Sequence, residues 1–489
     1  MINTTVSYLL GLALAALGAV HILPLISTAA TNDWPLAGLF FASLVFTIFF
    51  AGSFIVMSRG RIEPANRMQF IMLITCVWVL VPLVAALPFY TSGILTNPVH
   101  AYFEAVSGLT TTGATTIGDL NAVPQALILW RSSLQWLGGM FTILTVLLML
   151  APFGISGAPD NVHIPGYEGG DLVKSAKLVS MSLLPVYATL TSVCLLALWA
   201  TGLPLFDAIN IAFSTISTGG FMPRNGSLDI YQAPYANLVL SIFMIIGATS
   251  ILGHRSHLRR HYVGGHNENP ETFIFLVVCL WLGLVLSIYF YLHGSGNSPP
   301  SWIDAFSAGL FRAISLVTTT GYSIKTTEFA QIPFVIALVV CFVGGAAFST
   351  AGGIKLFRAM LMMRQGRREM ERLIHPHGIT QARSTGRLID IKLMKSVWVL
   401  SFVYLVTAGA ISLVLSLEGL TFETSLMAAV AALSNIGPVL PMSVAASSGV
   451  TEYAVMSPLS LIVLIIGMVM GRVELLVLLS IGSLAYWRT

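Results

Sequence analysis

Charge is what this chain has least of. Of its 489 residues only 9% are Asp, Glu, Lys or Arg, while 56% are hydrophobic and the mean hydropathy is +0.85. An ordinary soluble domain carries about 25% charged residues. A water-facing surface of normal extent is therefore excluded, and the chain reads as a polytopic membrane protein. Cysteine is scarce too: Cys76, Cys194, Cys279 and Cys341 stand singly inside apolar runs without metal-ligand spacing, as small buried hydrophobes do. A formal net charge of +4 is too small to point to nucleic acid. No Lys or Arg precedes Arg59, so the first apolar run lacks the basic flank of a secretory signal and reads as a retained helix. No loop is long enough to hold a soluble domain. An intramembrane enzyme would need acid, base or metal ligands converging at depth. His163, then His254, His257, His261 and His266, then His375 and His377 instead fall in connecting segments. Positive charge beside a membrane surface accounts for them, and no catalytic residue is expected.

What is present is apolar length. A spanning helix needs about 20 mostly apolar residues, and candidates lie near 6–25, 36–57, 69–91, 125–152, 178–200, 235–252, 272–293, 331–370, 394–417 and 455–485. The runs starting near 125, 331 and 455 exceed one bilayer thickness and are expected to tilt or break. Of the 24 Lys and Arg, 18 follow the second, fourth, sixth and eighth spans, whereas the opposite loops hold only Arg224 and Lys325. The positive-inside rule then places both termini in the cytoplasm. The Gly/Pro-rich segment 153–175 reads as an exposed loop.

One stretch recurs. Phe103-Glu-Ala-Val-Ser-Gly-Leu-Thr-Thr-Thr-Gly113 returns as Phe311-Arg-Ala-Ile-Ser-Leu-Val-Thr-Thr-Thr-Gly321, identical at seven of eleven positions. Looser copies are Ser214-Thr-Ile-Ser-Thr-Gly219 and Leu433-Ser-Asn-Ile-Gly437. Each lies between two apolar runs, on the outer side of the predicted topology. The expected fold is all-α: four pseudo-symmetric helix–pore loop–helix repeats around one central pore, plus an N-terminal two-helix hairpin. Residues 1–67 form the hairpin, 68–157 the first repeat, 158–254 the second with its preceding cytoplasmic loop, 255–372 the third with an intramembrane gate loop, and 373–489 the fourth. A monovalent cation crossing a bilayer must exchange water for oxygen ligands, and rings of backbone carbonyls supply them. Glycine gives such a loop its backbone freedom, and threonine adds hydroxyls in a small volume. Irregular backbone at membrane depth is tolerated where it is buried or lines a water-filled cavity. A short helix before each loop would aim its partial negative end at the ion.

Two further features stand out. Gly344-Gly-Ala-Ala-Phe-Ser-Thr-Ala-Gly-Gly-Ile-Lys355 interrupts an apolar run with two glycine pairs and a Ser-Thr, inviting an unwound loop below the pore loops; close helix packing through small residues is the alternative. It is no phosphate loop, because Leu356 follows Lys355 and the glycine spacing is wrong. Arg472 and Glu474 interrupt the final apolar run, where a charge costs at least about 2.5 kcal/mol at the bilayer centre. Arg472 would be an electrostatic barrier at the inner mouth or half of a structural pair with an acid. Arg131, Glu104, Asp207, Asp304, Arg312 and Glu423 are similar cases, and for most of the acids capping of the pore helices is the simpler reading.

Together these motifs resemble the Trk/Ktr/HKT superfamily of potassium transporters, and most closely its TrkH-type ion-conducting membrane subunit. The resemblance covers nearly the whole chain, the N-terminal hairpin included. It implies one selectivity-filter glycine per repeat, here Gly113, Gly219, Gly321 and Gly437. In the family four glycines go with K⁺, and a serine at the first goes with Na⁺. The ion ligands would come from Thr111 and Thr112, Ser217 and Thr218, Thr319 and Thr320, and Asn435 and Ile436, with K⁺ as the only metal. Gly344, Gly345, Phe348, Gly352, Gly353 and Lys355 would form the gate, with Arg472 its partner. The resemblance further implies K⁺ uptake, with Rb⁺ permeant and no other cofactor, through the cytoplasmic (inner) membrane of a prokaryote. A homodimer and a cytosolic TrkA-type regulatory subunit that binds nucleotides are implied too, the latter docking on the basic segments 253–270 and 355–395. A Na⁺- or H⁺-coupled secondary transporter is the alternative, but it would call for inverted repeats whereas these run parallel. Two departures from the family pattern are Phe348 after Ala346-Ala347, expected to stiffen or plug the gate, and Val439 where a glycine is common.

Overall fold

The computed structural model describes residues 4–58, 67–150, 172–233, 235–258, 270–293, 301–324, 332–375, 383–384, 387–388, 391–440 and 453–473. Helices α1 (Thr4–Val20), α2 (Ile22–Thr31) and α3 (Trp34–Met57) form the N-terminal hairpin. Four sets of three helices follow. The first is α4 (Arg67–Ala85, continued by α5, Leu87–Thr91), α6 (Pro98–Leu109) and α7 (Gln125–Thr145). The second is α8 (Leu172–Ala200), α9 (Leu205–Ile216) and α10 (Ala236–Ala248), with a short α11 (Ile251–Leu258) beyond it. The third is α12 (Pro270–His293), α13 (Trp302–Val317) and α14 (Phe334–Val343), continued after a break by α15 (Leu356–Ile374). The fourth is α16 (Ile391–Leu417), α17 (Phe422–Leu433) and α18 (Pro458–Val473). A two-residue strand pair, Arg383–Ser384 with Arg387–Leu388, joins the last two sets.

Several helices differ from the apolar runs that foretold them. The first run is broken at His21, whose ring bonds the Leu17 carbonyl (2.9 Å) and the Ser43 hydroxyl (3.1 Å). The long run from 331, expected to tilt or break, breaks at 344–355, and the one from 125 passes into a π-helical turn at Val146–Leu150. Residues 172–175, expected in an exposed loop, begin α8, while 153–171 lie outside the described residues. Among the described residues six helical spans, α1 with α2 counting as one, are long and apolar enough to cross a membrane. The middle helices of the four sets have 12 to 16 residues, or about 18–24 Å at 1.5 Å per residue, so they reach only part way through.

The packing closes into a ring. Each middle helix touches its own two flanking helices and the last helix of the preceding set: α9 packs on α7, α13 on α10, α17 on α14, and α6 on α18. The last contact joins the fourth set to the first, and the N-terminal hairpin packs outside the ring against α4 and α7. Large apolar side chains such as Phe41, Phe49, Trp281 and Phe402 are exposed on the outward faces, where lipid is their natural solvent.

Polar chemistry starts and steers the middle helices. Asn97, Ser301 and Thr421 cap α6, α13 and α17 by accepting a backbone N–H, and Pro98 occupies a first-turn position. Asp207, Asp304 and Glu423 lie in first turns, where they complement the helix dipole. Glu104 does not cap. It sits in mid-helix, fully buried, with Arg131 Nε 2.6 Å from Oε1, and it accepts from the Thr116 amide (3.0 Å) and the Thr115 hydroxyl (3.1 Å). The Arg131 guanidinium also lies 4.0 Å from the centre of the Phe221 ring. Removing one member of a buried pair costs about 3–5 kcal/mol, because the other charge is left uncompensated. Glu104→Ala should accordingly lower the midpoint of thermal unfolding in detergent, and the double variant Glu104→Leu/Arg131→Met should recover most of the loss. Equal unfolding midpoints for wild type and Glu104→Ala would remove the pair from this account.

Candidate functional site

All four middle helices end in the same way. After α6 the chain passes Thr110, then Thr111 with φ +52°, then Thr112; the Thr111 amide bonds the Gly108 carbonyl (3.0 Å) and the Thr112 amide the Ser107 carbonyl (2.9 Å). Thr218 and Gly219 repeat these bonds to Thr215 (3.1 Å) and Ser214 (2.8 Å). Thr319 and Thr320 bond Leu316 (3.1 Å) and Ser315 (3.0 Å), and Asn435 and Ile436 bond Ala432 (3.2 Å) and Ala431 (2.9 Å). This is a Schellman motif four times over. Its left-handed residue is usually glycine, but here it is Thr111, Thr218, Thr319 and Asn435, with φ between +52° and +57°. A β-branched residue in that region costs of order 1–3 kcal/mol, and the ring contacts hold it there.

The motif corrects one register. Counting from the left-handed residue, Gly113, Gly220 and Gly321 are equivalent, with φ of +78°, +76° and +84°, and Gly437 holds the same position in sequence. Gly219, expected to match them, instead matches Thr112, Thr320 and Ile436. Thr218 likewise aligns with Thr111, not Thr112, and Ser217 with Thr110. The doublet Gly219-Gly220 left two registers open in the sequence, and the end of α9 decides between them.

The loops meet one another by backbone. A Cβ added to Gly113 would lie 2.0 Å from the Gly219 oxygen, and one on Gly220 would lie 1.9 Å from the Thr320 oxygen. The Gly437 amide donates to the Thr112 carbonyl at 2.6 Å. The first set thus touches the second, and the second the third, glycine to carbonyl; the fourth returns to the first through the Gly437 amide, while Gly321 of the third meets the Pro438 ring of the fourth. Side chains brace the ring from behind. Ser107 and Ser315 donate to the carbonyls of Ala114 (2.6 Å) and Tyr322 (2.7 Å), just beyond the glycines. Gln135 Nε2 donates to the Gly219 carbonyl (2.9 Å), and the Tyr453 hydroxyl to that of Gly437 (3.0 Å).

The broken helix passes under this ring. Gly344 and Gly353, both at positive φ, pack together at the neck of loop 344–355, and Gly352 lies against the Ser434 carbonyl. Gly345 packs on Ala351. The Gly352 amide donates to Thr319 Oγ1 (2.8 Å), and Thr350 Oγ1 reaches the carbonyls of Gly247 (3.0 Å) and Ile216 (3.2 Å) and the Thr218 hydroxyl (3.2 Å). Arg472, fully enclosed on α18, donates to the Thr350 carbonyl (2.7 Å), to the Thr110 carbonyl and to Thr111 Oγ1. One guanidinium therefore joins loop 344–355 to the underside of the loop that follows α6. Glu474 lies outside the described residues. A cavity lined by Thr142, Ala351, Gly352, Gly353, Tyr404 and Arg472 opens beneath. Phe348 does not line it. Its ring packs in the apolar core, and its backbone is left-handed at φ +58°, so its constraint on the loop lies in the main chain. Lys355, at φ +81°, turns its ammonium back onto the carbonyls of Ser349 and Ala351.

Sequence reasoning passed over Gln135, Glu271, Tyr453 and Gly220. Glu271, at the start of α12, accepts from the Ala347 amide at 2.6 Å and so holds the loop from outside. Gln135 and Glu271 were visible as polar residues in or beside apolar runs, the signal that singled out Arg472. His254 bonds the Ile246 carbonyl and the Thr249 hydroxyl, both at 3.0 Å, finishing the end of α10.

Comparison with known proteins adds an independent line. The TrkH family model, described as a cation transport protein, matches residues 38–254 and 272–483. The Trk system potassium uptake protein TrkH of Vibrio parahaemolyticus is 31% identical over 502 aligned positions, covering 98% of each chain. Its Salmonella typhimurium namesake is 31% identical over 436 residues, 88% of each. The crystal structure of the potassium transporter TrkH from Vibrio parahaemolyticus superposes with a TM-score of 0.87 at 28% identity, covering 99% of each chain.

The Glu271 contact can be measured on its own. Glu271→Ala removes the acceptor of the Ala347 amide, and hydrogen exchange at residues 346–348 should speed up about tenfold, as expected for losing a charge-assisted bond of about 1.5 kcal/mol. Unchanged exchange would mean that the loop is held without it.

Proposed function

This chain belongs to the TrkH family of cation transport proteins, and from that premise we propose that it takes up K⁺ through a gated, channel-like pore. The ring of four loops carries the proposal. Four helix C-termini converge on it, each contributing partial negative charge, and the backbone oxygens of Thr112, Gly219, Thr320 and Ile436 stand one residue before the ring glycines. Carbonyls so arranged replace the hydration shell of a dehydrated monovalent cation. The hydroxyls of Thr111, Thr218 and Thr319, with the Asn435 amide, lie a residue below. Every group is neutral, which suits an ion that must leave again.

The gate in this proposal is loop 344–355 with Arg472. A unit positive charge about 4 Å from a cation costs about 4 kcal/mol at an effective dielectric constant of 20, enough to empty the path below the ring. Moving the loop would carry Thr350 away from Arg472 and free the guanidinium to turn aside. A cytosolic nucleotide-binding subunit of the TrkA type would supply that movement by docking on the basic segments 253–270 and 355–395 of a homodimer. The placement of Lys and Arg supports a cytoplasmic-membrane protein of a prokaryote with both termini inside. K⁺ is the transported ion, and no further cofactor enters the proposal.

Radioactive Rb⁺ and Na⁺ uptake into liposomes of the purified chain tests it. Rb⁺ uptake should exceed Na⁺ uptake, compete with K⁺ and need no ion gradient other than that of Rb⁺ itself. Uptake that requires an imposed Na⁺ or H⁺ gradient would replace the pore by a coupled carrier. Gly113→Ser places a side chain against the Gly219 oxygen in a left-handed conformation, and the Rb⁺/Na⁺ ratio should fall severalfold; an unchanged ratio would remove Gly113 from ion selection. Arg472→Ala should raise Rb⁺ leak in the absence of any partner by about tenfold or more. A leak equal to that of wild type would make Arg472 a structural residue.

A further inference from the structure

Three of the four ring glycines face one residue of the fourth loop. A Cβ on Gly113 would lie 3.2 Å from Pro438 Cδ, one on Gly220 3.0 Å from Pro438 Cγ, and one on Gly321 3.1 Å from Pro438 Cβ. These glycines come from three different sets, and all three meet the same pyrrolidine, the Cβ on Gly321 lying within 3.2 Å of its Cβ, Cγ and Cδ. Only a residue lying between them can do this. We propose, resting on the pore reading above, that Pro438 stops the pore at the level of its glycine ring, with Gly437 as the hinge that withdraws it.

The local backbone explains the placement. Gly437 alone among the four lies outside the left-handed region. From it the chain turns helically: the Val439 amide bonds the Ile436 carbonyl (3.4 Å) and the Leu440 amide the Gly437 carbonyl (3.2 Å). Proline suits the first position of a helical turn, where its missing N–H is not needed. Val439 and Leu440 are fully buried and anchor the turn, and Tyr453 holds the Gly437 carbonyl from the other side. The Gly437 amide meanwhile occupies the Thr112 carbonyl, one of the oxygens assigned to the ion. The closed state thus removes a ligand and fills the axis together.

Opening follows from the same atoms. Glycine enters the left-handed region at little cost, and there Gly437 would match Gly113, Gly220 and Gly321. The Thr112 carbonyl would be released and the proline carried off the axis. A K⁺ ion in the ring competes with the Gly437 amide for that carbonyl, so ion occupancy favours the open form. This upper stop lies in series with the loop gate below and is distinct from it.

The test combines the two. Rb⁺ uptake is measured in liposomes for Arg472→Ala and for Arg472→Ala/Pro438→Ala, where the smaller side chain leaves the axis. The double variant should take up Rb⁺ about tenfold faster. If the single variant conducts and the second substitution adds nothing, the stop is overturned and the pore stands. If neither conducts, the pore reading fails and the stop with it. Structures of the unaltered chain in K⁺ and in K⁺-free choline buffer decide the matter should the double variant misfold. Gly437 should be left-handed with the Thr112 carbonyl free in K⁺, and bonded to it in choline. Retention of the Gly437–Thr112 bond with ions filling the ring would overturn the proposal.

Discussion

Four helices end in the middle of this protein, and everything else serves those ends. A helix terminus leaves its last carbonyls unpaired, and in a bilayer no water is at hand to pair them, at several kcal/mol each. The Schellman motif satisfies part of the deficit at each end by placing a left-handed residue after the helix. The motif also fixes the direction in which the chain leaves, toward the three other loops. The close contacts between neighbouring loops then need the ends at one depth, which the cyclic packing around α6, α9, α13 and α17 provides.

The ring is not four-fold in chemistry. Three loops carry threonine at the left-handed position and a left-handed glycine two residues on; the fourth carries Asn435 and a Gly437 that has turned helical. The Asn435 amide nitrogen bridges Thr112 Oγ1 and the Met468 carbonyl, both at 3.0 Å, tying the fourth loop to the first and to α18. Arg472, four residues further along α18, ties the same first loop to loop 344–355. The underside of the ring is thereby one hydrogen-bonded unit spanning all four sets, in which a shift of loop 344–355 is transmitted to Thr110 and Thr111 through a single guanidinium. Glu271 steadies that loop from the third set's outer helix, and Phe348 and Lys355 strain it by their positive φ.

Much of this was legible in the chain itself. The near-identity of 103–113 and 311–321 announced a repeat, and the apolar runs around each copy announced helices on both sides. The glycine pairs at 344–345 and 352–353 pointed to the broken helix, because an apolar run too long for one bilayer breaks, if it does not tilt, where helix propensity is lowest. Arg472 stood out because charge in an apolar run is costly. Glu104 stands out for the same reason, but the capping that suits most of the acids does not describe it. Its partner, Arg131, lies 27 residues away on the next helix, and only the packing of α6 on α7 brings the two together.

Composition and spacing determined the class of protein, the positions of its helices and the four copies of the loop. These are local properties: they follow from how many consecutive residues prefer lipid to water and where glycine or charge interrupts them. The tertiary structure decided what depends on contacts between distant segments. It chose Gly220 over Gly219, because the doublet is ambiguous until the end of α9 is known. It placed Gln135 behind Gly219, Glu271 on Ala347, and Pro438 among three glycines of other repeats. No pattern along the chain encodes such neighbours, since the four loops are about a hundred residues apart in sequence and meet only when the ring closes.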